Sequence, residues 1–257
     1  MKGSLLFLGT SGSVGIPVIG CPCGVCHSND PLNHRLRPSV LLNIKERQML
    51  IDAGPDFRTQ ALRAGIKRLD GLLLTHAHYD HTAGLDDLRP LCYWSGVPLP
   101  VLLSPATADD VKKRFHYLFE SDNQTALSRF SLHLMQGKTG SILFEDLLFH
   151  YVTYHQGGME VNGFRIGDLA YLSDIRDFQP SIFDELKGIR YLVISALRYT
   201  RSPLHLSVDE AIDFANELKV ENVWITHISH DLDHHKTNAY LPPHVRLAYD
   251  GLKINFD

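Results

Sequence analysis

No run of about 18 apolar residues occurs anywhere in the 257-residue chain, so it offers no candidate for a membrane-spanning helix. The apolar segment Leu5 to Leu8 stops at the polar Thr10-Ser11-Gly12-Ser13 without a small-residue cleavage site. It reads as a strand rather than a signal peptide, and the expected location is cytoplasmic. Excess positive charge is also missing: 25 Lys and Arg stand against 29 Asp and Glu, for a net charge of -4. With no basic Gly/Pro-rich arm either, nothing drives the chain toward nucleic acid or an anionic membrane. The Gly9 to Gly15 loop lacks the Lys-Ser/Thr ending of a P-loop. There are no internal repeats and no low-complexity tracts.

Cysteine is scarce, with four residues, and three of them crowd together at Cys21, Cys23 and Cys26. In a cytosolic protein such a cluster reads as metal ligands before disulfides. Cys92, between Leu91 and Tyr93, reads as a small buried hydrophobe. Hydrophobic residues at 44% and charged residues at 21% are ordinary for a globular protein, and the length suits a single domain over 1–257.

Histidine is the residue in excess, at 15. Four metal-capable side chains fall within Thr75-His76-Ala77-His78-Tyr79-Asp80-His81, directly after the apolar run Leu72-Leu73-Leu74. In extended backbone His76 and His78 share one side. Asp80 and His81 follow the turn and can aim at a second point nearby. The bland alternative is a histidine-rich surface turn. Imidazole with carboxylate suits zinc, manganese or iron.

The rest of the chain repeats one theme, a strand whose end delivers a polar group. Ser4 to Leu8 reads as a strand, and Ser39 to Ile44 with Gln48 to Ile51 as a hairpin ending at Asp52. Asp56 to Ala64 reads as a helix, with Asp56 as candidate cap and Gly65 as its stop. Leu147 to Tyr154 ends at His155, Leu169 to Leu172 at Ser173-Asp174, and Asn222 to Thr226 at His227. Thr107 to Glu120 is amphipathic and predicts a helix, with Val111, Phe115, Leu118 and Phe119 on one face. Ser207 followed by Glu210 predicts a capped helix to Leu218. Residues 89–140 are the least readable; an insertion there could cover a site, form a subunit contact or be plain scaffold.

The His-x-His-x-Asp-His pattern resembles the signature of the metallo-β-lactamase superfamily, and His155, Asp174 and His227 follow in that superfamily's order. The resemblance implies an α/β fold, a metallo-β-lactamase-like αββα sandwich. It implies two divalent ions: His76, His78 and His155 on the first, Asp80, His81 and His227 on the second, with Asp174 between them. Asp52 matches an early Asp that supports the ligands. A second His three residues after His227, His230, is the best fourth ligand for the three thiolates. The combination resembles the PhnP-type phosphodiesterases, which carry a structural zinc beside the dinuclear centre. That resemblance, from Gly9 to Gly251, implies manganese or zinc in the centre, a homodimer, and hydrolysis of a small phosphodiester such as 5-phosphoribosyl 1,2-cyclic phosphate by a hydroxide shared between the ions. It assigns Asp80 and His205 to catalysis, His205 as a protonated donor to the leaving oxygen. Arg35, Arg37 and Arg198 are candidate phosphate clamps.

Rival readings share parts of this pattern. A tRNA 3′-processing endonuclease would share the metal set but require a basic arm. A glyoxalase II thioesterase would lack the Cys tripod. A non-catalytic PqqB-like binding protein would carry the Cys loop on a degraded centre; about three metals per chain fits the enzyme and about one the carrier.

Overall fold

The computed structural model describes residues 2–119 and 129–257. Six strands come first: β1 (Gly3–Gly9), β2 (Ser39–Ile44), β3 (Arg47–Ile51), β4 (Gly71–Leu73), β5 (Leu99–Leu103) and β6 (Phe130–Leu134). Seven more follow: β7 (Thr139–Phe144), β8 (Leu147–Gln156), β9 (Met159–Ile166), β10 (Leu169–Leu172), β11 (Tyr191–Ser195), β12 (Asn222–Thr226) and β13 (Val245–Leu247). The last strand, β14 (Lys253–Phe256), returns to β1. The result is two seven-stranded sheets, ordered β14-β1-β2-β3-β4-β5-β6 and β13-β12-β11-β10-β9-β8-β7.

The two-residue period of the strands explains why these sheets stack with helices outside. Leu73, Val193 and Trp224 point into the layer between the sheets, with Phe7, Phe149, Phe164 and Tyr171. Their neighbours Leu72 and Leu74 point outward, onto a core with Phe57 of α1 (Phe57–Ala64). Leu192, Ile194, Val223 and Ile225 do the same on the other sheet, packing on Ala211, Phe214 and Ala215 of α2 (Val208–Leu218). Three buried layers between four layers of structure make the αββα sandwich.

Four consecutive strands of each sheet run parallel, β3-β4-β5-β6 in one and β10-β11-β12-β13 in the other. Their carboxyl ends therefore gather at one rim, where open α/β sheets build sites. One backbone bond closes this rim across the sandwich, Asn162 N–H to the Thr75 carbonyl at 2.9 Å, and another ties the turns after β3 and β4, Ala53 N–H to the His81 carbonyl at 2.8 Å. Gly54 is required there, since a Cβ would lie 2.0 Å from the Asp80 carbonyl oxygen.

Local expectations meet the structure unevenly. The Ser207–Glu210 capping box forms with both its bonds, as that spacing requires. Asp56 precedes α1 but caps nothing with its side chain, because its carboxylate is taken by Arg37 at 3.0 Å. The helix expected over 107–120 starts earlier, at Pro105 behind the Ser104 cap, and ends at Arg114, followed by a 3₁₀ turn over His116–Leu118; Glu120 lies outside the described residues. Cys92 is buried, as expected of a small hydrophobe.

Candidate metal centre

Four strand ends bring the polar groups together. Asp52 follows β3, His76 to His81 follow β4, Asp174 follows β10 and His227 follows β12. Asp52, Asp174 and His227 all sit in the left-handed region, with φ of 61°, 55° and 56°. That conformation turns each chain sharply where its strand stops and throws the side chain onto the rim.

Within the cluster each imidazole is oriented by a specific partner. Thr75 donates its hydroxyl to Asp52 Oδ2 at 2.8 Å, so its oxygen accepts from His76 Nδ1 at 2.9 Å. This leaves His76 Nε2 free, 2.8 Å from His78 Nδ1. His81 Nδ1 donates to Asp52 Oδ2 at 2.7 Å, which turns Nε2 toward Asp174 at 3.0 Å and Asp80 at 3.4 Å. Such a carboxylate behind an imidazole fixes its tautomer and leaves a lone pair for a metal. His227 Nε2 lies 3.2 Å from Asp174 and 3.3 Å from Asp80.

The charges show what the cluster lacks. Burial alone would neutralise Asp174, but the His227 and His81 imidazoles hold its carboxyl well below the usual range. Asp80 is lowered in the same way: burial opposes ionisation, and His81 and His227 overcome it. Burial also opposes charge on His81, yet Asp80, Asp52 and Asp174 raise its pKa well above the ordinary value. Buried carboxylates facing imidazoles, with no Lys or Arg partner among the described residues, are a donor set that fits divalent cations. The side chains fall into overlapping groups of His76, His81 and Asp174, of Asp80, His81 and His227, and of Asp174, His205 and His227.

His78 meets the cluster only through His76, and it lines the cavity beside it. His155 does not join, which corrects the expectation for it. Its backbone is paired with Asp177 on both sides, and its side chain has the opposite strand parity to its neighbour Gln156. It is Gln156 that enters the site, donating Nε2–H to Asp174 Oδ1 at 2.8 Å and lying 3.1 Å from His205 Nε2. The signal was in the sequence: Val152, Tyr154 and Gln156 share one parity, and all three are buried.

His205 stacks on His227, centroids 5.1 Å apart, and lies 3.5 Å from Asp174. Burial first, then the adjacent His227, push its pKa down to about 4. The imidazole is therefore neutral near pH 7, and the protonated donor expected from the sequence is not what these surroundings favour. The arginine clamps are corrected too. Arg35 is buried against Thr10, the Ala248 carbonyl and His234, and Arg37 pairs with Asp56. Neither these two nor Arg198 lines the cavity.

A second donor group sits close by. Cys21, Cys23 and Cys26 place their sulfurs 3.2, 3.4 and 3.6 Å from His230 Nδ1. Zinc bonds of about 2.3 Å to sulfur and about 2.0 Å to nitrogen at a tetrahedral angle put S and N about 3.5 Å apart, so the four could hold a zinc ion. The Cys26 backbone N–H on its sulfur draws Cys23 down to about 6 against the effect of burial, with His230 assisting. Burial raises Cys26 to about 11.

The cavity beside the His-Asp cluster holds about 450 Å³ and is lined by Tyr79, Met159 and Leu204 as well as by the cluster itself. Comparison with known proteins adds the context. Residues 47–228 match the family model for a beta-lactamase superfamily domain. A solved structure described as a new diphosphatase from the PhnP family is 39% identical, covers 100% of this chain and 98% of its own, and superposes with a TM-score of 0.92. An octanoyltransferase of Porphyromonas gingivalis is 35% identical over 255 residues, 98% of this chain but 51% of that protein. A ribonuclease Z of Bradyrhizobium diazoefficiens is 39% identical over 87 residues, 33% of this chain and 24% of that one. The chain thus spans about half or less of the curated relatives it matches. Zinc-bound PqqB from Methylobacterium extorquens, at 16% identity and a TM-score of 0.79, shares the fold.

Proposed function

Since this chain belongs to the metallo-β-lactamase superfamily, and is a metal-dependent hydrolase by fold and family, we propose that it hydrolyses a small phosphodiester at the rim where Asp80, Asp174, His81 and His227 meet. The observation that carries the reading is the buried anionic cluster at the floor of the cavity, with no Lys or Arg lining it among the described residues. A phosphate entering there finds no cationic side chain, so its charge must be met by ions held on the cluster. Bound divalent cations would supply Lewis acidity for water and phosphoryl oxygen alike.

The chain's own residues do the positioning. Asp52 and Thr75 hold His81 and His76 with their Nε2 lone pairs inward. Asp174 spans His81, His227 and, through Gln156, the His205 side of the cavity. His205, neutral and stacked on His227, offers a ring N–H at the cavity wall, where it can bond a phosphoryl or leaving-group oxygen without carrying charge. Tyr79, Met159 and Leu204 give the non-reacting part of the substrate an apolar wall. The Cys cluster has all four positions filled by protein donors and takes no part in the reaction.

A second reading is favoured by one observation, the whole-length likeness to a protein described as a diphosphatase. A phosphoanhydride is cleaved by the same attack of water on phosphorus, and only the leaving group differs. One assay separates the alternatives: bis(p-nitrophenyl) phosphate, a diphosphate ester, an octanoyl thioester and a β-lactam, each with Mn²⁺ or Zn²⁺. Turnover of the phosphoryl substrates, lost by more than about 100-fold in Asp80→Ala, is the expected result. The octanoyl arm tests the acyl chemistry named for the P. gingivalis relative, of which this chain spans about half. Preferential turnover of the thioester or the lactam would overturn the phosphoryl reading.

A further inference from the structure

At the end of β8 an amide stands where the strand-end pattern predicts an imidazole. Gln156 is 5% exposed, and its orientation is set by chemistry: the ionised Asp174 carboxylate 2.8 Å away can only accept, so the NH₂ group must face it. The amide oxygen is then directed elsewhere, and it is one of the buried polar atoms that find no hydrogen-bond partner among the described residues. A buried amide oxygen without a donor is rare in folded proteins. This one belongs to a side chain lining the same cavity as His78, Asp80 and Asp174.

We infer that Gln156 Oε1 is a metal ligand, and that it makes the two cation positions of the centre chemically unequal. On one side Asp80, His81 and His227 form an imidazole-rich group. On the other, at the Asp174 oxygen that Gln156 and His205 face, a neutral carbonyl oxygen stands in for a further imidazole. Carbonyl oxygen and carboxylate suit Mn²⁺ or Mg²⁺, whereas imidazole suits zinc. The second position is thus the weaker for zinc, and it fills when a harder cation is supplied. The Asp174 bond adds a positioning role: the same amide that offers its oxygen fixes the carboxylate shared by both sides.

The inference rests on the metal centre of the proposed function but not on its substrate, so the test counts metal rather than turnover. Purified protein is dialysed against metal-free buffer and analysed for metal, then titrated with Mn²⁺ while the electron paramagnetic resonance of the free ion is followed. The expected wild-type result is one zinc in the Cys cluster, one tightly held ion in the centre, and a separate weaker class that fills with Mn²⁺. Gln156→Ala removes the weaker class and leaves the other two. Gln156→His, which supplies nitrogen, lets the second position keep zinc through dialysis, with at least about tenfold tighter binding. The retained Cys-site zinc reports folding in each variant. Two ions of equal affinity in wild type, or both Mn²⁺ classes unchanged in Gln156→Ala, would overturn this inference alone. A centre that binds no ion would overturn the metal-centre reading with it.

Discussion

Two donor clusters hang from the end of one strand, since His227 and His230 both follow β12, yet they are built from opposite materials. The Cys cluster is soft and complete: three sulfurs and one ring nitrogen, with two of the cysteines half-exposed. The His-Asp cluster is hard and incomplete: buried carboxylates, imidazoles turned inward by Asp52 and Thr75, and a cavity of about 450 Å³ open beside it. A site meant only to hold the chain together saturates its ion with protein donors, whereas a site meant to react keeps a position for something else. The contrast lies in donor count and burial, not in the identity of any single residue.

The largest effect that would sharpen this contrast is expected from Asp174→Asn. It removes the carboxylate common to both sides of the centre, so metal analysis should show loss of the centre's ions and turnover should fall by more than about 100-fold, while the Cys-site zinc stays. Joint loss from both clusters would mean they are one cooperative unit, and the comparison would break. Cys26→Ser should do the reverse. Calorimetry is expected to show a lower melting temperature, by about 2–4 °C for each kcal/mol lost, with turnover per folded molecule retained; an unchanged melting temperature would deny the Cys cluster its structural role.

The smallest effect concerns the support of the Cys-loop side. His234 accepts from the buried Arg35 at 3.0 Å, and its neighbour Asp233 accepts from Asn33, which ties the segment after the Cys loop to α3 (His234–Tyr240). Burial and then Arg35 push His234 from 6.5 down to about 4. The folded state keeps it neutral where the unfolded chain takes up a proton, so this contribution to stability is present above pH 6.5 and is lost as pH falls toward 4. His234→Gln should flatten that part of the stability profile in denaturant titrations; an identical slope in wild type and variant would exclude His234 as its source.

Much of this was readable without coordinates, and the reasons are local. The apolar run at Leu72-Leu73-Leu74 and the strand ends at Asp52, Asp174 and His227 follow from local pattern, and the structure has strands there. The Ser207–Glu210 spacing sets its own cap. What the sequence concealed depends on long-range partners or on a single step of register. His155 and Gln156 are neighbours, and a one-residue difference sends the side chain to the opposite face, so the more ligand-like residue attracted the assignment. Arg35, a candidate phosphate clamp by sequence, is 2% exposed, because Thr10 and the Ala248 carbonyl, far apart in the chain, both reach it. His234 is the buried partner of that arginine, a contact that no local pattern marks. Strands β6 and β7 form the edges of the two sheets, which no local pattern announced.

The three left-handed corners carry one more consequence. A side-chain-bearing residue there costs on the order of 1 kcal/mol that glycine would not. Asp52, Asp174 and His227 therefore hold positions at which fold stability and chemistry pull against each other. A descendant released from its reaction would gain by drifting to glycine at these corners, becoming sturdier as it became inert. Glycine at any of them in a related sequence would mark a chain that had kept the scaffold and given up the work.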